Sequence, residues 1–227
     1  MINLPLDDVN IWLANLPLLH TWDGGVTWNT GGFNAAHLAP LLDYLRRNLP
    51  ESPVVLETGA GNSTIALNFL SPRRLISIAP DKSIFAKVQK YCLDRKIPTT
   101  TLEIYSEGSE WVLPMLASQA RMSSTYLDFA LIDGCHNWPM VFVDFFYINY
   151  MLKTNGVLMI DDIQLHSVKE LARLLFEEPS FTLELDLGKA LIFRRKGDAK
   201  LLGGWETQAY IARRSNEYSS MKNPFAL

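Results

Sequence analysis

The segment Val54–Thr64, which decides the fold, reads VVLETGAGNST. Its apolar residues lead to an acid, Glu57, and the chain then passes through Gly59 and Gly61 into a segment that can be helical. Glycine has no side chain to block a close backbone approach, and it tolerates the dihedral angles of a tight turn. The segment therefore predicts a parallel strand that leads into a helix around a nucleotide-like ligand.

The rest of the chain alternates between strand-like and helix-like segments. Short apolar runs predict strands, and apolar residues at helical spacing predict the helices between them. The predicted strands lie near 54–57, 75–78, 100–105, 128–133, 157–161, 181–186 and 190–194. The predicted helices lie near 34–48, 63–69, 82–95, 109–116, 139–152 and 165–177.

This alternation predicts an α/β fold with a doubly wound, mostly parallel, seven-stranded sheet that is covered by helices on both faces. The last two predicted strands flank Leu187-Gly188-Lys189, which is typical of an antiparallel C-terminal hairpin. We expect residues 35–197 to form the main domain. Residues 1–34, rich in Trp and Gly, are predicted to be a cap that completes the core or a lid over a substrate pocket. Residues 198–227 form a tail to which the pattern assigns no structure.

The amino-acid composition limits the classes of partner that the protein is expected to bind. The formal charge of −3 and the absence of a basic cluster argue against a nucleic-acid partner. No apolar run reaches the roughly 18 residues that a membrane helix needs, and acids stand where a signal peptide would carry bases. We expect a soluble, cytoplasmic protein without a membrane partner, and its aromatic-rich ends are candidates for a homo-oligomer contact.

Polar residues end or follow most of the predicted strands, at the edge where doubly wound sheets bind ligands. They are Glu57, Asp81, Gly108, Ser109, Asp133, Asp161 and Asp162. For Asp81, a helix N-cap is an equally good explanation. The last three acids would repel one another unless a positive group lies among them, and oxygen ligands of this kind suit Mg²⁺ or a similar hard cation.

The order of these motifs resembles that of the class I S-adenosylmethionine-dependent methyltransferases, which have a Rossmann-like fold. The motifs are Glu57–Ser63, Asp81, Gly108-Ser109, Ile132–His136 and Ile160–Asp162. Within that superfamily the chain resembles the metal-dependent small-molecule O-methyltransferases of the catechol and macrocin type. The resemblance covers about residues 35–195.

The resemblance implies a cofactor site formed by the strand ends. It assigns the methionine end of the cofactor to Glu57, Gly59, Gly61, Asn62 and Ser63. Gly108 and Ser109 match the segment beside the adenine, with Trp111 as a stacking candidate, and Asp133 borders the same site. The acid that usually holds the ribose would fall at Ala79, so Asp81 is the nearby substitute.

The resemblance also implies the chemistry. Asp133, Asp161 and Asp162 match the metal ligands, and His136 matches the position of the catalytic base. A histidine with its ordinary pKa near 6.5 can be neutral and accept a proton from a hydroxyl, whose pKa a metal would lower. The implied function is Mg²⁺-assisted methyl transfer from S-adenosylmethionine to a hydroxyl of a small molecule, such as a natural-product intermediate. The other interpretation of His136 is a helix-start residue bonded to the backbone.

Two other functions stay open. A nicotinamide-dependent oxidoreductase would also use a glycine loop, but Thr64 stands where the dinucleotide fingerprint has its third glycine. A catalytically inactive S-adenosylmethionine-binding interaction protein is compatible with Ala79. The set of Asp133, His136 and the two later acids argues against both alternatives.

Overall fold

The computed structural model describes residues 6–21, 23–197 and 203–220. The helices are α1 (Leu6–Ala14), α2 (Ala35–Asn48), α3 (Asn62–Asn68), α4 (Lys82–Asp94), α5 (Ser109–Ser123), α6 (Met140–Met151), α7 (His166–Glu177) and α8 (Ala209–Ser220). The strands are β1 (Val54–Thr58), β2 (Arg74–Ile78), β3 (Leu102–Tyr105), β4 (Leu127–Ile132), β5 (Leu152–Ile160), β6 (Phe181–Asp186) and β7 (Leu191–Arg195).

The seven strands form one sheet in the order β3-β2-β1-β4-β5-β7-β6. Neighbouring strands from β3 to β5 pair in parallel, and β7 pairs antiparallel with both β5 and β6. This confirms the predicted α/β sheet and its antiparallel C-terminal hairpin. Every residue of β1 and β4 is buried, because two separate hydrophobic clusters cover the two faces of the sheet.

The strand order reverses between β1 and β4, so their carboxyl ends lie side by side. Thr58 pairs with Ile132 of β4, and Ile132 pairs with Ile160 of β5. The residues that follow these strands therefore lie along one edge, where doubly wound sheets bind ligands.

The start of β5 differs from the prediction. Leu127 pairs with Leu152, but Phe129 pairs with Val157, so residues 153–156 form an irregularity within the ladder. Asn155 has a φ of 63°, which fits the turn signal of Thr154-Asn155-Gly156. The local turn signal was correct, but it could not show that the pairing of β5 with β4 already begins at Leu152, before the turn.

Helix α5 is also longer than predicted. It continues beyond residue 116 to Ser123, and Ser124 ends it in the left-handed conformation with a φ of 54°. Leu116 and Ala120 continue its buried face, so tertiary packing supports the extra turns.

The segment before α2 packs on the main domain. Trp12 in α1 lies 5.2 Å from the ring of Phe69, and Val9, Leu19 and Phe33 are buried in the same hydrophobic cluster. Positions 1–5 and 22 lie outside the described residues, so the predicted 1–34 segment is seen only in part.

The C-terminal region contains a helix that the sequence pattern did not predict. Helix α8 packs on α7, where Tyr210 donates a 2.6 Å hydrogen bond to Glu170 and Arg213 pairs with Glu177 at 2.6 Å. Positions 198–202 and 221–227 of the predicted tail lie outside the described residues. Within 6–21, 23–197 and 203–220, every helix is too short or too polar to cross a membrane.

Candidate active site

The glycine loop is built against the end of β4. Gly59 has a φ of +95°, and a Cβ there would lie 2.4 Å from the backbone oxygen of Asp133. The Gly59 N–H donates to Ile78 O at 2.8 Å, and the Asp133 N–H donates to Thr58 O at 3.1 Å. Gly59 is therefore required both by backbone conformation and by the close approach of the two strand ends.

Glu57 stabilises the glycine loop through hydrogen bonds. Its Oε1 accepts hydrogen bonds from Thr64 Oγ1 at 2.5 Å and Ser77 Oγ at 2.7 Å, and Thr64 Oγ1 accepts the Gly61 N–H at 3.0 Å. Glu57 is fully buried, the Ser63 hydroxyl lies close enough to lower its pKa, and its Oε2 makes no hydrogen bond of standard geometry with the described residues. Burial raises the pKa of Glu57 from its ordinary 4.5 to about 7, since a carboxylate loses its hydration there.

The raised pKa of Glu57 predicts a pH-dependent stability. Because its pKa is about 7 in the folded protein and 4.5 ordinarily, stability that is present at pH 4 is lost as pH rises through 7. Glu57→Gln has the same shape and no ionisation. We expect wild type to lose about 3 kcal/mol of unfolding free energy relative to this variant between pH 4 and 8. Urea unfolding at several pH values measures it, and a constant difference between the two proteins would contradict it.

The N-terminal segment covers the loop. His20 Nε2 and Ala60 O are 2.8 Å apart, and a Cβ at Gly61 would lie 2.5 Å from the same nitrogen. Asn62 Nδ2 donates to Pro17 O at 3.3 Å, whereas Asn62 Oδ1 is buried without a hydrogen-bond partner among the described residues. Sequence spacing did not single out His20, because its partner lies 40 residues away.

Gly108 and Ser109 lie where α5 begins. Gly108 is the N-cap residue, and Ser109 is buried at 8% exposure. Trp111, the stacking candidate, is 73% exposed.

Asp144 of α6 is a buried acid beside Ser109 that the sequence analysis missed. Burial raises its pKa to about 6. Asp144 lies three residues after Val141 and four before Ile148, on the buried face of the helix, so its spacing was a usable signal.

Asp81 lies at the end of the loop after β2. Its side chain accepts the Ser83 N–H at 2.8 Å and caps α4. The carboxylate is exposed, while Ala79 just after β2 is buried. In this structure the Asp81 carboxylate therefore acts as a helix cap.

His136 lies between two of the predicted acids. Its Nε2 is 3.7 Å from Asp133 Oδ1, and its Nδ1 is 3.6 Å from Asp162 Oδ2. Burial lowers the pKa of His136 below its ordinary 6.5 although Asp162 opposes the shift. Asp162 has a φ of 58°, an uncommon backbone conformation that an Asp tolerates better than most residues. Because the pKa of His136 lies below 6.5, its imidazole is mainly neutral at pH 7, and it lies beside two carboxyl groups.

Asp161 has a different neighbour. It is 1% exposed, and its Oδ2 lies 2.7 Å from the Lys189 ammonium, which is also 3.1 Å from Asp162 Oδ1. Burial raises the pKa of Asp161 to about 6. Burial and the neighbouring Asp161 raise the pKa of Asp133 well above its ordinary value. Three clustered acids were the signal for a positive partner, but the sequence did not identify Lys189 as that partner.

The three-residue group with metal-ligand spacing is Asp133, His136 and Asp162, whose candidate ligand atoms all lie within 4.8 Å of one another. It contains a nitrogen donor and does not include Asp161. Mg²⁺ prefers oxygen ligands, whereas imidazole suits Zn, Cu, Fe or Ni. In the part of the chain that the structure describes, Asp133 and Asp162 therefore lie on either side of His136, whereas Asp161 lies against Lys189.

Comparison by sequence finds no relatives for this chain. No protein-family model matches it, and no curated protein matches it. Structural comparison does find solved proteins of similar fold.

A candidate caffeoyl-CoA O-methyltransferase from Staphylococcus aureus superposes with a TM-score of 0.57 at 14% identity, over 70% of this chain and 82% of that one. An rRNA methylase from Streptococcus thermophilus gives 0.51 at 16% identity, over 70% of this chain and 95% of that one. The MycE methyltransferase of mycinamycin biosynthesis, solved with Mg and S-adenosylhomocysteine, gives 0.54 at 15% identity, over 80% of this chain and 53% of that one. With this likeness and its mixed seven-stranded sheet, the chain has the class I methyltransferase fold.

Proposed function

We propose that this protein transfers a methyl group from S-adenosylmethionine to a hydroxyl oxygen of a small molecule. The observation that carries the proposal is the position of His136. It lies between Asp133 and Asp162 at the carboxyl ends of β4 and β5, and the backbone of Asp133 lies against Gly59 of the glycine loop.

The residues of the loop fit the methionine end of the cofactor. Glu57 Oε2 and Asn62 Oδ1 are both buried hydrogen-bond acceptors that make no hydrogen bond of standard geometry with the described residues. Two such acceptors suit an ammonium group, because an unpartnered buried oxygen is costly. We assign the remaining cofactor contacts to Gly108, Ser109 and Asp133.

S-adenosylmethionine would supply a methyl group on a positively charged sulfur. The residues of the chain must then orient the acceptor and take its proton. His136 is suited to the second task, since burial lowers its pKa and keeps the ring neutral at pH 7. A ring nitrogen of His136 would take the hydroxyl proton while the acceptor oxygen takes the methyl group, whose bonding electron pair would remain with the sulfur of the cofactor. Asp162 then faces the imidazolium and stabilises its charge.

The Mg²⁺ ion that the sequence resemblance implies does not fit these residues as they are arranged. Asp161, one of its three expected ligands, is paired with Lys189, and the group with metal-ligand spacing contains a histidine nitrogen in its place. The proposed methyl transfer therefore uses no metal ion.

Charge supports a small molecule as the acceptor. One of the proteins with the same fold is an rRNA methylase, so RNA is the competing acceptor. However, the partly exposed acids at this edge of the sheet, Asp133 and Asp162, flank His136, and the formal charge of the chain is −3. Phosphate groups are bound mainly by Lys and Arg, and acids repel them. A neutral small molecule with a hydroxyl fits this edge better.

Calorimetry with S-adenosylmethionine and NADH tests the cofactor. We expect saturable binding of S-adenosylmethionine and none of NADH, because Thr64 stands where the dinucleotide loop needs its third glycine. A methyl-transfer assay on a panel of catechols, sugars and hydroxylated polyketides, with rRNA fragments as the competing class, then tests the acceptor. NADH binding would favour the oxidoreductase, methylation of the rRNA fragments alone would replace the small-molecule acceptor, and cofactor binding without transfer to any acceptor would favour an interaction protein.

A further inference from the structure

Lys189 enters the acid cluster from a well-defined turn. Between β6 and β7, the Leu187 N–H donates to Ala190 O at 2.9 Å, and the Gly188 N–H donates to Asp186 Oδ1 at 2.7 Å. Lys189 O in turn accepts the Ile163 N–H at 2.9 Å, which joins this turn to the loop after β5. The backbone that carries Lys189 is therefore held beside the loop that carries Asp161 and Asp162.

The ammonium group of Lys189 has three oxygen neighbours. They are Asp161 Oδ2 at 2.7 Å, Asp162 Oδ1 at 3.1 Å and Gly31 O at 2.5 Å. The ammonium donates a hydrogen bond to Gly31 O, and the two carboxylate oxygens lie at ion-pair distance from it. The nitrogen also lies 4.8 Å from the centre of the Phe33 ring, and the side chain is only 17% exposed. These contacts hold the lysine in the cluster rather than in solvent.

A divalent ion would compete with this arrangement. Asp162 already faces both Lys189 and His136, and Asp161 is occupied by Lys189. An ion on Asp133, His136 and Asp162 would share the Asp162 carboxylate with the ammonium. Two cations at such short range repel each other strongly in a partly buried site.

From these contacts we infer that Lys189 is the resident cation of the acid cluster, in place of a divalent metal, and that it lowers the affinity of the cluster for metal ions. Lys189 is a positioning residue in this role, because it orients Asp161 and Asp162 and joins them to the N-terminal segment at Gly31. Only the activity part of its test rests on the proposed function.

Binding of Mn²⁺ to the full chain, measured by electron paramagnetic resonance, tests this inference without a substrate. Lys189→Met keeps the length of the side chain and removes the charge, so we expect it to bind Mn²⁺ about tenfold or more tightly than wild type. Lys189→Arg keeps the positive charge and should bind as weakly as wild type. The matched control is Lys153→Met, which breaks a 2.7 Å ion pair with Asp128 at the opposite end of β4 and should leave Mn²⁺ binding unchanged.

The inference fails if Lys189→Met binds Mn²⁺ no more tightly than wild type, or if Lys153→Met tightens binding equally. Wild type alone can also overturn it, so the test does not depend on the variant folding. Saturating Mn²⁺ binding to wild type at micromolar concentration would show that the ammonium does not exclude a metal. Once an acceptor is known, turnover should persist in excess EDTA, and a loss that Mg²⁺ restores would contradict the inference. Calorimetry with S-adenosylmethionine reports separately on the proposed function.

Discussion

His136→Ala should lower the rate of methyl transfer by about 10²- to 10⁴-fold, the usual contribution of a positioned general base. The ring lies between Asp133 and Asp162, at 3.7 and 3.6 Å, and burial lowers its pKa, so it is the base that we propose for this cluster. The buried acceptors of the glycine loop stay in place, so affinity for S-adenosylmethionine should change little. Single-turnover kinetics and calorimetry measure the two effects separately.

His166→Ala is the matched control, since His166 is an exposed histidine at the start of α7. It should keep the wild-type rate. The wild-type rate should also fall as pH drops through the pKa of His136, which lies below 6.5, because the protonated ring cannot accept a proton. If His136→Ala retains wild-type turnover, His136 is not the base, and the helix-start interpretation of this residue stands.

Gly59→Ala should have the largest effect on the fold of the site. A Cβ at this position would lie 2.4 Å from Asp133 O, and the φ of +95° is unfavourable for any other residue. Strain and overpacking together should cost about 3 kcal/mol or more of unfolding free energy. The end of β4 must move to make room for the Cβ of the alanine, so the affinity for S-adenosylmethionine should fall as well.

Gly197→Ala is the control that separates the cost of backbone strain from the cost of a steric clash. Gly197 has a φ of +76°, but a Cβ there would meet no atom of the described residues within 4 Å. We expect a cost of about 1 kcal/mol in urea unfolding and unchanged cofactor affinity. Equal losses in the two variants would mean that the contact with Asp133 is not what requires glycine at position 59.

Much of the fold could be predicted because its signals are local. The apolar run before Glu57, the two glycines and the alternation of strands and helices each depend on neighbouring residues. Local signals also found the hairpin at Leu187-Gly188-Lys189. They failed for α8 and for the start of β5, where packing on α7 and pairing with β4 decide the outcome.

The sequence by itself determined that an acid lies near the end of β1, that acids follow β4 and β5, and that a histidine stands three residues after Asp133. It also indicated that clustered acids need a positive partner, but it could not name that partner. Only the tertiary structure brings Lys189 to Asp161 and His20 to the glycine loop, across separations of 28 and 40 residues. The geometry of the hairpin and the path of the N-terminal segment determine these contacts, and no local pattern in the sequence indicates them.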